Sequence, residues 1–366
     1  MAKRIIISGG GTGGHIFPAI AIANALKTID SNTEILFVGA NGRMEMEKVP
    51  AAGYQIVGLD IQGFQRSSLL KNAFLPFKIV GSVLKSLSII KNFRPHAVVG
   101  VGGYASGPLL YAASLKKIPY LLQEQNSYAG VTNKFLGKNA KKVCVAFDGM
   151  DRFFEAAKIV KTGNPVRESA VAVEGKRQEA IAFFELDADK KTILIVGGSL
   201  GALTLNNSIM AGLDVFKKAG VQIIWQTGKY YYKSIIERFG NQSKKSGIRI
   251  YEFLNRMDLA YAAADLIVSR AGAGTIAELC LVQKPVILVP SPNVAEDHQT
   301  KNANALVNKE AAVLIADKHA EAELVDQALK VLNDEKLCET LVANIKELGF
   351  ANSDKVIAEK VLEIAL

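Results

Sequence analysis

The chain has 366 residues, 49% hydrophobic and 22% charged, which suits two folded domains and excludes a disordered or low-complexity protein. Its net charge of +9 is uneven: residues 1–162 carry 20 Lys/Arg against 9 Asp/Glu (+11), and residues 163–366 carry 24 against 26 (−2). Nucleic acid or an anionic membrane would explain such asymmetry, but no aromatic–basic stacking pattern or helix-turn-helix signature is present, so the expectation is a membrane surface and no nucleic acid.

Met1-Ala2-Lys3-Arg4 runs straight into a strand, Arg4–Ser8, without an apolar h-region, so no signal peptide is expected. No apolar run reaches the roughly 18 uncharged residues of a spanning helix. Gly9-Gly10-Gly11-Thr12-Gly13-Gly14-His15 reads as a glycine loop, Pro18–Leu26 as a helix and Glu34–Gly39 as the second strand. This βαβ opening puts the loop where a dinucleotide fingerprint would lie. Two features oppose that: the second strand ends in Val38-Gly39-Ala40 instead of an acid, and the loop lacks the Gly-Lys-Ser/Thr ending of a P-loop. His15 reads either as a general base in a ligand cleft or as a residue that caps the helix.

Strand Gln55–Leu59 leads to the loop Gln62-Gly63-Phe64. Residues 69–92 are apolar with interruptions, from Leu69 and Leu70 to Leu87. Lys71, Lys78 and Lys85 recur every seven residues and would share one helical face, with Pro76 starting or kinking the helix. The segment is expected to be a crossover helix on the sheet, a surface that touches anionic lipid, or both on different faces. Lys138, Lys141 and Lys142 would extend the basic surface.

Strand Ala97–Gly100 runs into a second glycine loop, Gly102–Pro108, and strand Pro119–Gln123 into Glu124-Gln125-Asn126-Ser127. Asn126 is placed to meet a substrate or to serve as a turn residue. Strands near Val143–Ala146 and Lys158–Lys161 close a first domain, 1–163, before the turn Gly163-Asn164-Pro165-Val166-Arg167.

A second domain, 164–352, repeats the alternation. Strand Thr192–Val196 ends in Gly197-Gly198-Ser199-Leu200-Gly201-Ala202, a phosphate-type loop in which Ser199 could donate. Strands follow near Val221–Gln226, Ile248–Glu252, Leu266–Ser269, Pro285–Val289 and Ala312–Ile315. Phe253-Leu254 would hold a base, or Phe253 would be core. The small-residue turn Arg270–Gly274 opens a helix, Thr275–Val282, whose N–H groups and dipole suit a diphosphate. Glu278 lies about one turn in, where it can accept from a ribose, and Gln299 follows the next strand, where an amide can read sugar hydroxyls. Helices near 320–333, 335–348 and 353–365 end the chain.

Three cysteines, Cys144, Cys280 and Cys338, are far apart and suit a reducing cytoplasm. Asp187-Ala188-Asp189 matches a metal-binding DxD only formally and reads as a surface turn before a strand. His96, His298 and His319 have no partner at ligand spacing, so no metal and no cofactor are assigned.

Seven stretches together resemble the MurG glycosyltransferases: Gly10–His15 with Phe17-Pro18, Gly102–Pro108, Glu124-Gln125-Asn126 with Thr132-Asn133-Lys134, Gly163–Arg167, Gly197–Ala202, Arg270–Glu278 and Asp297–Gln299. The resemblance implies an α/β fold of two Rossmann-like domains facing across a cleft (GT-B), with the last helix, 353–366, packed back on the first domain. It implies inverting, metal-independent transfer of N-acetylglucosamine from UDP-N-acetylglucosamine to the C4 hydroxyl of the muramyl sugar of lipid I, a polyprenyl-pyrophosphate-linked muramyl peptide. The product would be lipid II for peptidoglycan synthesis, made at the cytoplasmic face of the bacterial inner membrane by a peripheral protein. His15 would be the base. Leu254 backbone would meet uracil beside Phe253, Glu278 the ribose, and Ala273, Gly274, Thr275, Ile276 and Ala277 the diphosphate. Ser199 and Arg167 would also serve the donor, and Gln299 would read the sugar. Thr12, Gly13, Gly14 and Asn126 would complete the cleft, with the acceptor pyrophosphate against the first-domain glycine loops. Leu200 and Thr300 depart from the family, where Gln is common at both positions. The rival functions are a transferase for another lipid acceptor, a UDP-sugar 2-epimerase and a non-catalytic UDP-sugar-binding membrane adaptor.

Overall fold

The computed structural model describes residues 2–63, 74–243 and 247–366. Phe64, Leu69, Leu70 and Lys71 lie outside the described residues. The chain divides into two compact units, Met1–Val166 with Phe350–Leu366, and Arg167–Gly349.

Continuous apolar runs such as Ile5-Ile6-Ile7 and Ile193-Leu194-Ile195 are fully buried. This is the pattern of strands covered on both faces, as parallel sheets require. The first unit runs β1 (Arg4–Gly9), α1 (Gly13–Ile29), β2 (Glu34–Ala40), α2 (Glu45–Ala51), β3 (Gln55–Leu59), α3 (Leu75–Phe93), β4 (Ala97–Gly102), α4 (Ser106–Leu115), β5 (Tyr120–Glu124), α5 (Val131–Gly137), β6 (Lys142–Val145) and β7 (Ile159–Lys161). Its seven strands are ordered β3-β2-β1-β4-β5-β6-β7, all parallel.

The second unit runs α6 (Glu168–Val171), α7 (Arg177–Phe183), β8 (Thr192–Val196), α8 (Leu203–Lys218), β9 (Gln222–Gln226), α9 (Tyr232–Ser243), β10 (Ile248–Tyr251), α10 (Met257–Ala263), β11 (Leu266–Ser269), α11 (Ala273–Val282), β12 (Val286–Leu288), α12 (His298–Val307), β13 (Val313–Leu314), α13 (Asp317–Asn333) and α14 (Glu335–Lys346). Its six parallel strands are ordered β10-β9-β8-β11-β12-β13.

The final helix, α15 (Ser353–Ile364), belongs to the first unit and packs on α1. Its Ile357, Ala358 and Val361 are fully buried in the core layer formed by Ile5, Ile7, Val99 and Leu121. On the other sheet face, α3, α4 and α5 cover Ile6, Val98 and Leu122.

Helices α1 and α2 differ from their sequence expectation, whereas α3 starts where Pro76 was expected to start or kink it. Helix α1 starts at Gly13, five residues before Pro18, because Gly13 and Gly14 take up the first helical turn despite their low propensity. Helix α2 has no counterpart in the expectation: at seven residues with an internal Pro50 it is too short for a helical period to register. Helix α3 starts at Leu75, with Pro76 in its first turn, where a missing N–H costs nothing. It buries Ser82, Ser86, Ile89 and Ile90 and leaves Phe77, Val80 and Leu84 exposed. Lys78 and Lys85 turn back to the Gln62 amide oxygen and the Gly58 carbonyl, so the outward stripe of this helix is apolar.

Because α15 completes the core of the first unit, Ile357→Ala is expected to lower stability by about 2–5 kcal/mol, the cost of a buried Ile truncation. Urea unfolding measures it, and a loss below about 0.5 kcal/mol would show that the helix is not part of that core.

Candidate active site

Each sheet reverses its strand order once, between β1 and β4 in the first unit and between β8 and β11 in the second. Open parallel sheets bind ligands at the carboxyl ends of the strands that flank such a reversal. In the first unit the loops after β1 and β4 meet there. Gly10 N–H donates to the Gly102 carbonyl at 3.2 Å. A Cβ on Gly103 would lie 2.3 Å from the Gly10 carbonyl oxygen, and Gly103 has φ +91°. Only glycine tolerates both conditions.

Thr12 is the N-cap of α1, and His15 is the third helical residue, so His15 is not the cap. Its Nδ1 lies 3.0 Å from the Gly10 carbonyl oxygen and 3.3 Å from Thr12 Oγ1. A carbonyl only accepts, so Nδ1 carries the proton and Nε2 holds the lone pair that a base needs. Gly102 makes room for the ring, since a Cβ there would come 2.7 Å from Nε2. Thr12 and Gly14 are exposed and Gly13 partly so.

The loop rests on an acid that sequence reading missed. Glu45, at the start of α2, is buried. Its Oε2 accepts from Gly11 N–H at 2.9 Å and its Oε1 from Ala40 N–H at 3.0 Å. A dinucleotide fold would have an acid at the end of β2; here an acid five residues later returns to that strand end and takes backbone donors instead. The only signal was one of two Glu in Met44-Glu45-Met46-Glu47-Lys48, with no spacing to link it to the loop.

Asn126 is held by a second buried acid. Glu124 accepts from Asn126 N–H at 3.1 Å, Gly130 N–H at 3.1 Å, Asn133 Nδ2 at 2.8 Å and Asn126 Nδ2 at 3.4 Å. Burial pushes its carboxyl up from the usual value, against these donors, which pull it down.

In the second unit the phosphate-type loop after β8 is built like that after β1. A Cβ on Gly228 would lie 2.1 Å from Gly201 N, and Lys229 N–H donates to the carbonyl of exposed Ser199 at 3.0 Å. After β11, Arg270 donates to the Val289 carbonyl at 2.9 Å and to the Pro290 carbonyl at 3.2 Å, and it pairs with Asp317. This locks the turn that opens α11. Gln299 Oε1 accepts from Ser291 N–H at 2.9 Å and Ala271 N–H at 3.2 Å, which fixes its NH₂ as the group left to donate.

The five residues 273–277 do not play equal parts. Gly274 and Thr275 sit in the first turn of α11, where N–H groups have no carbonyl within the helix to bond. Ala273 starts that turn and is buried. Ile276 is buried and its N–H donates to the Gly272 carbonyl at 2.9 Å. Ala277 follows it inside the helix.

Glu278 is partly buried and its Oε2 accepts from the Tyr261 hydroxyl at 2.9 Å. Burial pushes the Glu278 carboxyl up, opposed by the Tyr261 hydrogen bond and the charge of Arg167. Phe253 is 48% exposed, so the core reading of that ring fails. Leu254 is buried, and its N–H donates to Gln226 Oε1 at 2.9 Å, which leaves its carbonyl for a base. Leu200 is exposed, and Thr300 Oγ1 donates to Asp297 at 2.7 Å. Asp187 accepts from Asp189 N–H at 3.1 Å and pairs with Lys190, as a surface turn does. Among the described residues no three of His, Cys, Asp and Glu gather as a metal site.

Residues 5–145 match the glycosyltransferase family 28 N-terminal domain, and residues 192–361 match the family 28 C-terminal domain. The chain belongs to glycosyltransferase family 28. Within that family it is 58% identical to a UDP-N-acetylglucosamine--N-acetylmuramyl-(pentapeptide) pyrophosphoryl-undecaprenol N-acetylglucosamine transferase of Phocaeicola vulgatus, over 99% of this chain and 96% of that one. A protein of the same name from Flavobacterium psychrophilum is 51% identical over 99% and 97%. The crystal structure of Acinetobacter baumannii MurG superposes with a TM-score of 0.80 at 28% identity, covering 99% of each chain. A UDP-GlcNAc 2-epimerase from Neisseria meningitidis shares the fold at a TM-score of 0.68 and 15% identity, over 99% of this chain and 100% of that one.

Replacing Glu45 by Gln in this family 28 chain puts an NH₂ where a buried N–H needs an acceptor. Glu45→Gln is expected to cost about 1–3 kcal/mol in urea unfolding. Unchanged stability would show that the glycine loop does not depend on this acid.

Proposed function

We propose that the protein is an inverting N-acetylglucosaminyltransferase that moves the sugar from UDP-N-acetylglucosamine to the C4 hydroxyl of the muramyl sugar of lipid I, giving lipid II. The observation that carries this reading is the full-length 58% identity to a transferase of that name. The tautomer of His15 supports it, because the loop carbonyl at Nδ1 leaves the lone pair on Nε2.

In this reading His15 Nε2 takes the proton of the acceptor hydroxyl, directly or through a water, as that oxygen attacks the anomeric carbon from the face opposite UDP. One displacement turns an α donor into a β-1,4 link, as single-step inversion does elsewhere. Charge on the departing UDP is met by first-turn N–H groups of α11, by Ser199 and by Arg167. The Leu254 carbonyl accepts from uracil, with the Phe253 ring against the base. Glu278 accepts from the ribose, and the Gln299 amide donates to the sugar. Thr12, Gly13, Gly14 and Asn126 complete the substrate-binding groups from the first unit, with the acceptor pyrophosphate against its glycine loops. Ile276 contributes only as part of the helix that carries its neighbours.

The acceptor's polyprenyl tail stays in a bilayer, so this reading places the protein at the anionic cytoplasmic face of the inner membrane. Among the described residues no helix is long and apolar enough to cross a membrane. Contact is therefore assigned to the surface of the first unit. There α3 presents Phe77 (75% exposed), Val80 (59%) and Leu84 (62%), and α4 and α5 present Tyr111, Leu115, Val131 and Phe135. Lys138, Lys141 and Lys142 follow α5 and add positive charge.

His15→Ala is expected to lower turnover by roughly 10²–10⁴-fold, the contribution of a general base, with donor affinity nearly unchanged. The assay is transfer of labelled N-acetylglucosamine to a short-chain lipid I analogue, with UDP release followed in parallel. Full turnover would remove His15 from that role, and UDP release without acceptor would favour an epimerase or hydrolase. Separately, Phe77→Ser with Leu84→Ser is expected to weaken partition onto anionic vesicles by about tenfold or more, since each apolar side chain is worth about 1.5–3 kcal/mol when buried. Binding by the unsubstituted chain should weaken with salt, because exposed charges are screened within about 8 Å at 0.15 M. Equal partition of the double variant would move the contact off α3.

A further inference from the structure

We infer that Tyr261 is a positioning residue of the donor site: its hydroxyl fixes the Glu278 carboxylate so that the second oxygen, Oε1, faces the vicinal diol of a ribose, and this sets selection for ribonucleotide over deoxyribonucleotide donors. The inference rests on the donor reading above, in which Glu278 takes the ribose.

The argument starts from the side chain itself. The last torsion of a glutamate is broad and roughly two-fold, so an unheld carboxylate samples many planes. Here it is held. An ionised carboxylate only accepts, so the Tyr261 hydroxyl donates to Oε2, at 2.9 Å. Tyr261 is 1% exposed, on a helix, α10, that is buried from Asp258 to Ala263. A ring so enclosed cannot swing away to release the oxygen. Among the described residues, none donates a hydrogen bond to Oε1. The second unit thus presents one carboxylate oxygen that is spoken for and one that is directed.

A further observation bears on charge. Arg167, at the start of α6, acts on both Glu278 and Tyr261, and its positive charge favours the ionised carboxylate while burial opposes it. An ionised carboxylate is the form that can accept from sugar hydroxyls. A site that accepts from a hydroxyl discriminates against an analogue lacking it, because the acceptor is then left unpaired. That selectivity needs a fixed acceptor direction, which the Tyr261 hydroxyl supplies and a phenylalanine ring would not.

The test compares UDP-N-acetylglucosamine with its 2′-deoxyuridine and 3′-deoxyuridine counterparts in the unsubstituted chain, in Tyr261→Phe and in Glu278→Ala, each confirmed folded by circular dichroism. Tyr261→Phe is expected to raise donor KM about tenfold, with turnover at saturating donor changed far less. It should also shrink the preference for the ribose donor over at least one deoxy donor. In the double variant Tyr261→Phe/Glu278→Ala, the tyrosine change should add little to the effect of Glu278→Ala alone. An intact ribose preference in Tyr261→Phe overturns the inference even if KM rises, because packing alone would raise KM. Additive effects in the double variant overturn it as well. If Glu278→Ala leaves donor KM unchanged, the donor reading of Glu278 falls, and the positioning inference falls with it by a separately visible route. Should Tyr261→Phe not fold, Tyr261→Met, a flexible apolar side chain that fills the space without that hydroxyl, is read by the same ribose preference.

Discussion

Two stretches of backbone touching without side chains between them set the geometry from which the first unit's candidate site follows. Gly10 and Gly103 are so close that a Cβ on the latter would sit 2.3 Å from a carbonyl oxygen. The second unit repeats the device, with Gly228 against Gly201 at 2.1 Å. Both contacts form at the carboxyl ends of adjacent strands: the first joins the loops after β1 and β4, across the reversal in strand order, and the second joins the loops after β8 and β9, beside the reversal between β8 and β11. A side chain at Gly10 would strike the Glu45 carboxylate, and one at Gly103, Gly201 or Gly228 would part the loops. In the first unit that would carry away the Gly10 carbonyl that selects the His15 tautomer. The catalytic chemistry proposed for the imidazole thus depends on the absence of side chains several residues away.

Loops so rich in glycine are entropically costly to fix, and the protein fixes them with buried acids. Glu45 accepts from Gly11 and Ala40, and Glu124 from Asn126, Gly130 and Asn133. Glu45 joins a loop N–H to the N–H at the end of β2, and Glu124 gathers two backbone N–H groups with the Asn126 and Asn133 amides. Burial alone would raise the carboxyl of Glu124, and the converging N–H groups offset that cost. Glu278 follows the same pattern with a phenol as donor, but it keeps one oxygen uncommitted among the described residues. Structural acids spend both oxygens on the protein, whereas the acid assigned to a ligand spends one.

The sequence announced the strands well because a buried parallel strand is a short run of Val, Ile and Leu bounded by turn residues. Gln55–Leu59, Thr192–Val196 and Leu266–Ser269 have the bounds that the runs alone suggest. Glycine loops at strand ends gave the location of the candidate site, since their spacing is local. What stayed hidden was non-local. Tyr261 lies 17 residues before Glu278, on a different helix, and no periodicity joins them. Gln226 takes the Leu254 N–H from 28 residues away, so the free backbone groups expected there reduce to a carbonyl. The start of α1 was hidden for a different reason: propensity disfavours glycine in helices, and here the loop contacts override propensity.

Helix α3 shows where such local logic reverses. Amphipathic helices of soluble proteins turn apolar residues inward and lysines outward. In α3 the buried face holds Ser82 and Ser86, the latter donating to the Ser82 carbonyl at 2.7 Å, while Phe77, Val80 and Leu84 face outward. Small serines let the middle of the helix lie close to α4, while Ile89 and Ile90 near its end supply the large apolar groups of the buried face. The lysines then have no reason to point away, and Lys85 instead caps the Gly58 carbonyl at the end of β3. Folding alone gives no return for leaving an exposed Phe, Val and Leu on one stripe, each forgoing about 1.5–3 kcal/mol of burial. A face kept apolar at that cost points to something outside the protein, and in the function proposed above a bilayer holding the acceptor's tail would be the environment that buries these three side chains.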